Sequence, residues 1–288
     1  MASTGNDRKS RVLLVASVAV LLVGLVGLAI PVAAEMANIW DTERHISGIE
    51  SAYDQMADEE RAYLLDQAAR YNASVLSAKA DDGLLPYRQQ LAYGGIDMIA
   101  HLSIPSLALD LPIYHDTDDD TLMAGVGHLE GSALPVGTPG GRCVLAGHSG
   151  MSTSRMFDDI HLLGPGDRFV VWTLGDARAY EVIESKVVWP EETDELIPVP
   201  GEDLVTLVTC TPYGVNTHRL LVTGRRCEYV PDEEIVPDAE VYVNRRTTPL
   251  MVALGAVALV GIALGIASAV RHTRRRGRHA PALMDNGR

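Results

Sequence analysis

The run TLVTCTPYGVNTHRLL, residues 206–221, sets a thiol and a guanidinium at the two mouths of one expected hairpin. LVTLVTC and RLLVTGRR have strand composition, and residues 211–218, with Pro212 and Gly214, join them. If the strands pair, Cys210 closes one and Arg219 opens the other at a common rim. An arginine beside a cysteine favours thiolate over thiol. It also donates hydrogen bonds to the oxyanion that forms when a thiolate attacks a carbonyl. Each residue alone has a plainer reading, Cys210 as a small buried hydrophobe and Arg219 as a surface cation.

A nucleophilic cysteine needs a proton partner. His148, in CVLAGHSG, ends an apolar strand and precedes a Ser-Gly turn, so it also sits at a strand-to-loop rim. His128, in GVGHLEG, reads as a hydrogen-bonding turn residue. His101, His115 and His161 read as structural, and strand alternation turns His218 away from Arg219. No cofactor is expected. Cys143, Cys210 and Cys227 have no zinc spacing and no His-Glu-x-x-His occurs, so no metal site is expected either. Cys143 and Cys227 are either a disulfide or two buried thiols, and the second reading is preferred.

These groups must be positioned by short strands. MIAHLSIP, LALDLPIY, GRCVLAGH, DRFVVWTL and ARAYEVIESKVVW precede the two runs already quoted. About seven strands at this spacing, without long helices between them, predict a mainly β antiparallel sandwich or barrel over residues 97–230. Residues 35–96 form a membrane-proximal segment. Within it, Ile46, Ile49, Tyr53 and Met56 recur at helical spacing and predict a helix over 38–78. The stretch 79–90, KADDGLLPYRQQ, reads as a loop.

Two charge-free apolar runs flank this outer part. Residues 12–34 predict a transmembrane helix preceded by a basic cytoplasmic end, 1–11. A cleaved signal peptide is the alternative there, but the run is long for one. Residues 249–270 predict a second span, after an acidic linker at 231–248 and before a basic cytoplasmic tail at 271–288. Basic flanks on both runs place the two termini in the cytoplasm and the domain outside, with the lipid bilayer as a partner. Formal net charge is −14 for the 288 residues. Residues 35–248 hold 15 Lys plus Arg against 36 Asp plus Glu, or −21, which argues against nucleic acid as a partner.

The region 97–228 resembles the sortases, and most closely the pilin-polymerising class C sortases. The matching pieces are TLVTCTPYGVNTHRLLVTGRR, GRCVLAGHSG, GVGHLEGSALPVG and SIPSLALDLPIYH. The resemblance implies a closed β-barrel of about eight strands that works as a cysteine transpeptidase. Cys210 would be the nucleophile, His148 the general acid and base, and Arg219 the transition-state stabiliser, with Thr209 lining the substrate groove. The implied substrates are secreted pilin or surface proteins carrying an LPXTG-like sorting signal. The implied acceptor is a pilin lysine or, alternatively, a peptidoglycan amine. A membrane-tethered binding domain is the non-enzyme alternative. Class C sortases carry a lid with an Asp-Pro-aromatic tripeptide. DDGLLPYRQ lacks that tripeptide, so Asp82 near Arg219, and Leu85 or Tyr87 over Cys210, are the candidate lid contacts.

Overall fold

A computed structural model describes residues 51–151 and 154–231, together with isolated positions between 15 and 49 and between 253 and 261. The chain falls into two compact units, Met1–Ala33 with Val243–Arg288, and Ala34–Tyr242. The few described positions of the first unit are helical. Among the described residues, no helix is long and apolar enough to cross a membrane. The expected spans 12–34 and 249–270, the N-terminus 1–11, the linker 231–248 and the tail 271–288 lie almost wholly outside the described residues.

Among the described residues, the second unit contains eight strands: β1 Met98–Ile104, β2 Leu109–His115, β3 Val126–His128, β4 Arg142–Ala146, β5 Arg168–Thr173, β6 Asp176–Val188, β7 Leu204–Thr211 and β8 His218–Arg226. They close into a barrel in the order β1-β2-β3-β4-β7-β8-β6-β5. Neighbours are antiparallel except β2–β3 and β4–β7, which are parallel. The expected sandwich-or-barrel is therefore a closed barrel, whose sheet has no free edge. The expected strands all form. β3 is the additional one, in a stretch read as a turn, because three residues between glycines carry no visible alternation.

Alternation decides which side chains fill the interior. In β7, Val205 and Leu207 are fully buried, and their partners across β8 are Gly224 and Val222. A Cβ on Gly224 would lie 2.6 Å from the Phe169 ring, so this glycine makes the room in which Phe169 stacks on Tyr180.

The helix expected over 38–78 is interrupted at residues 55–57 and restarts as α1, Asp58–Ser77. Asp58, Glu59 and Glu60 fill its first turn, where they complement the helix dipole. Leu64, Gln67, Ala68 and Asn72 form its buried stripe. Asn72 docks the helix on the β3–β4 connection, donating to the Leu134 carbonyl and Thr138 Oγ1 and accepting from the Leu134 N–H. A short helix, α2 Asp119–Ala124, is capped by Asp118 and carries the crossover from β2 to β3.

Two histidines are held neutral by burial. His128 is fully enclosed at the end of β3, and desolvation lowers its pKa to about 4. His101 in β1 stacks on Trp172, and desolvation likewise lowers its pKa to about 4. Their folded values lie below the ordinary value near 6.5, so protons bind the unfolded chain first. Stability is complete above about pH 6.5 and falls as pH drops toward 4. Each histidine removes about 2 kcal/mol by pH 5. Denaturant midpoints at pH 7.5 and 5 test this, and replacing His101 with glutamine should reduce the difference.

Candidate active site

The site is a row across three adjacent strands. In the antiparallel β7–β8 pair, Cys210 lies directly opposite Arg219, so their β-carbons share a face about 5 Å apart. In the parallel β4–β7 pair, Ala146 lies beside Val208, and the Gly147 N–H continues the ladder to the Val208 carbonyl at 3.0 Å. Continued one residue past that bond, the same register would put His148 at the level of Cys210. Strands lie about 4.8 Å apart, so Cys210 stands between its two candidate partners. Because Val205 and Leu207 point inward, Cys210 takes the outer face of the barrel at the end of β7. Cys210, His148 and Arg219 are all half-buried, sheltered but reachable.

The surrounding loops are firmly held. Thr209 Oγ1 donates to the Gly147 carbonyl at 2.7 Å, and Ser149 Oγ donates to the Cys210 carbonyl at 2.6 Å. The Phe157 N–H donates to the His148 carbonyl at 2.9 Å, and the Gly150 N–H donates to Asp158 Oδ1 at 2.7 Å. A Cβ on Gly147 would lie 2.7 Å from the buried Phe157 ring, so glycine before His148 lets the strand rest on that ring. Arg219 Nη1 donates to the carbonyls of His218 and Asn216, at 3.2 and 3.5 Å, which draws the guanidinium toward its own loop. His218 turns away and packs on Trp189, with ring centres 4.1 Å apart. A cleft of about 250 Å³ opens beside Cys210, walled by Ser149, Phe157, Pro212, Tyr213 and Leu220.

Thr209 is almost fully buried and its hydroxyl ties β7 to Gly147, while it also lines the cleft beside Cys210, as expected of a groove residue. The 79–90 loop lies elsewhere. Tyr87 Oη is bonded to His128 Nδ1 at 2.8 Å and donates to the His128 carbonyl at 2.9 Å. The Asp116 N–H donates back to the same hydroxyl. These contacts sit at the C-terminal ends of β2 and β3. Cys210 sits at the C-terminal end of β7, and β3 runs antiparallel to β4. No residue of 79–90 lines the cleft at Cys210. Leu85 is held to α1 through Gln67, and Asp82 is exposed. The expected lid contacts are therefore replaced by a structural latch. The loop is also tied down at Asp81 by Arg70, at 2.7 Å.

Several contributors escaped sequence reasoning. Ser149 looked like a turn residue, Phe157 lay in an unassigned stretch, and Asp158 gave no motif. His128 is a β3 residue, not a turn residue. Cys143 and Cys227 form no disulfide with each other, and of the two thiols expected to be buried only Cys143 is, Cys227 being half-buried. Burial raises the Cys143 thiol well above its ordinary pKa, which leaves it inert at neutral pH. Among the described residues, no cluster of His, Cys, Asp or Glu has metal-binding geometry. The row itself can support covalent acyl transfer, with a thiol to attack, an imidazole to move protons and a guanidinium to meet developing negative charge.

A family model described as the sortase domain matches residues 102–227. The chain is 29% identical over 127 residues to sortase A of Bacillus anthracis, covering 44% of this chain and 59% of that protein. It thus spans about three fifths of that curated relative's length. The crystal structure of sortase C-1 from Actinomyces oris is 50% identical, with a TM-score of 0.53, over 58% of this chain and 99% of that one. Sortase C of Clostridium perfringens with the C-terminal cell wall sorting motif is 40% identical, with a TM-score of 0.58, over 64% of this chain and 98% of that one.

Proposed function

The chain belongs to the sortase family, and from that premise we propose that it is a class C-type, membrane-anchored cysteine transpeptidase. It cleaves an LPXTG-like sorting signal between Thr and Gly and passes the acyl group to an amine, a pilin lysine during pilus assembly. The observation that carries this reading is Cys210 opposite Arg219 across β7 and β8, with His148 just past the end of the neighbouring β4. Likeness to sortase C structures supports the class. The charge-free runs at 12–34 and 249–270 support the anchoring.

The geometry orders the steps. Cys210 Sγ attacks the threonine carbonyl carbon as His148 takes the thiol proton. The carbonyl oxygen becomes an oxyanion, and Arg219 donates to it. His148 returns the proton to the glycine nitrogen as the C–N bond breaks, which leaves a thioester on Cys210. The acceptor amine then attacks that carbonyl and gives a proton to His148. The C–S bond breaks and the thiol is restored.

The donor peptide has a natural path. The connection from β6 to β7 folds over the outer face of the barrel, where the Ile197 carbonyl accepts from Arg142 Nε. Beside it lies a pocket of about 200 Å³, lined by Leu76, Leu129, Val144, Leu196 and Pro198. Val144 is four residues before His148, or about 13 Å along an extended strand. An extended Leu-Pro-x segment ahead of the threonine spans about 10 Å. The leucine would reach this apolar pocket while the threonine carbonyl stays at Cys210.

The test offers the purified protein a sorting-signal peptide together with either a pilin subunit or a cell-wall amine. Mass spectrometry should find the cleaved peptide as a thioester on Cys210, and the pilin lysine should be joined. Joining of the cell-wall amine alone would make this a surface-protein anchoring enzyme. Absence of any thioester would leave a tethered binding domain.

Replacing Arg219 with alanine should lower kcat/KM by about 10²- to 10³-fold, the cost of one oxyanion donor. Lysine should restore little of it, because an ammonium lacks the planar fork of donors. Steady-state transpeptidation kinetics of the two variants check this.

A further inference from the structure

The parallel ladder between β4 and β7 stops one rung short in its backbone and is completed by a side chain. Gly147 makes the last backbone rung, its N–H donating to the Val208 carbonyl. The next rung of a parallel pair would run from the Ser149 N–H to the Cys210 carbonyl. The chain turns away there, because the Gly150 N–H goes to Asp158 and the His148 carbonyl accepts from Phe157. Ser149 Oγ supplies the missing rung instead, reaching the Cys210 carbonyl at 2.6 Å. His148 is thereby bracketed between two connections to β7, Gly147 on one side and Ser149 on the other.

We infer that Ser149 is a positioning residue for acyl transfer, whose hydroxyl rung holds the His148 segment in register with Cys210. The inference rests on the sortase reading of the site. Without the rung, the segment from 148 to 151 loses the one side-chain tie to β7 found among the described residues beyond the strand end, and the imidazole is free to drift along Cys210. Proton transfer tolerates little drift, and a displacement near 1 Å costs on the order of 10²-fold in rate. The donor groove, which runs along the opposite end of β4 toward Val144, is untouched.

The experiment compares the full chain with Ser149→Ala and Ser149→Thr. Formation of the Cys210 thioester from a sorting-signal peptide should slow about tenfold in kcat for the alanine variant, with KM changed less than about twofold. The threonine variant keeps a hydroxyl and should return close to the parent rate. Melting temperatures should stay within about 4 °C of the parent. An unchanged kcat for Ser149→Ala, a loss confined to KM or to melting temperature, or no recovery with threonine would each overturn the inference. A parent protein that forms no thioester would remove the sortase reading and this inference with it. A parent that forms one, beside an equally fast alanine variant, would remove this inference alone.

Discussion

Cys210→Ala should abolish thioester formation and transpeptidation, by about 10⁴-fold or more, while leaving the barrel folded. Removal of a nucleophile from a covalent mechanism is the most severe single loss such a site can suffer, because no other group forms the intermediate. The other two thiols offer no substitute. Cys143 is buried in β4 among core side chains, and Cys227 lies beyond β8, where its N–H donates to the Ala179 carbonyl. The fold should survive because Cys210 is half-buried on the outer face and its backbone keeps its place opposite Arg219. Mass spectrometry of the protein after incubation with a sorting-signal peptide reads the first half of the result. A thermal melt within a few degrees of the parent reads the second. A variant that still carries the peptide would place the nucleophile elsewhere.

His148→Ala should lower kcat for transpeptidation by about 10²- to 10⁴-fold, the range of a lost general acid and base. The result differs in kind from that of the cysteine variant. The thiol remains, so slow alkylation of Cys210 persists while proton delivery to the leaving amine is lost. A substrate with a good leaving group, such as a thioester analogue of the signal, needs less help from an acid and should recover much of the acylation rate. Failure of that analogue to recover the rate would mean that His148 shapes the site and does not move protons. The hydrogen bonds at Gly147, Ser149 and Gly150 do not use the imidazole, so little stability should be lost.

The sequence made the Cys210–Arg219 pairing legible because both residues end apolar runs joined by a loop with turn residues, and a hairpin is local. His148 was legible by chemistry alone, as a histidine where an apolar strand meets a turn. Its place beside Cys210 was not, since it depends on parallel pairing of β4 with β7 across an intervening hairpin. Periodicity identifies strands but does not say which distant strand each one joins. β3 was missed because three residues are too few to show a period. The break at residues 55–57 was missed because the apolar spacing runs straight through it. The lid contacts failed for another reason. Tyr87 has a better partner in the buried His128, and that pairing depends on where β2 and β3 end. Ser149 carried no signal beyond a common turn dipeptide.

The parallel contact of β4 with β7 bears on when the enzyme first becomes reactive. Cys210 and His148 stand 62 residues apart in the chain, with β5 and β6 between them in sequence, and only the long-range β4–β7 pairing brings their strands side by side. Such distant pairings are late events in folding, because the entropy of closing the intervening loop must be overcome first. A nascent chain therefore carries a thiol with no neighbouring imidazole until the barrel closes. The same dependence makes catalytic competence a gauge of barrel closure. In a denaturant titration, thioester formation should vanish no later than the loss of Trp172 and Trp189 fluorescence.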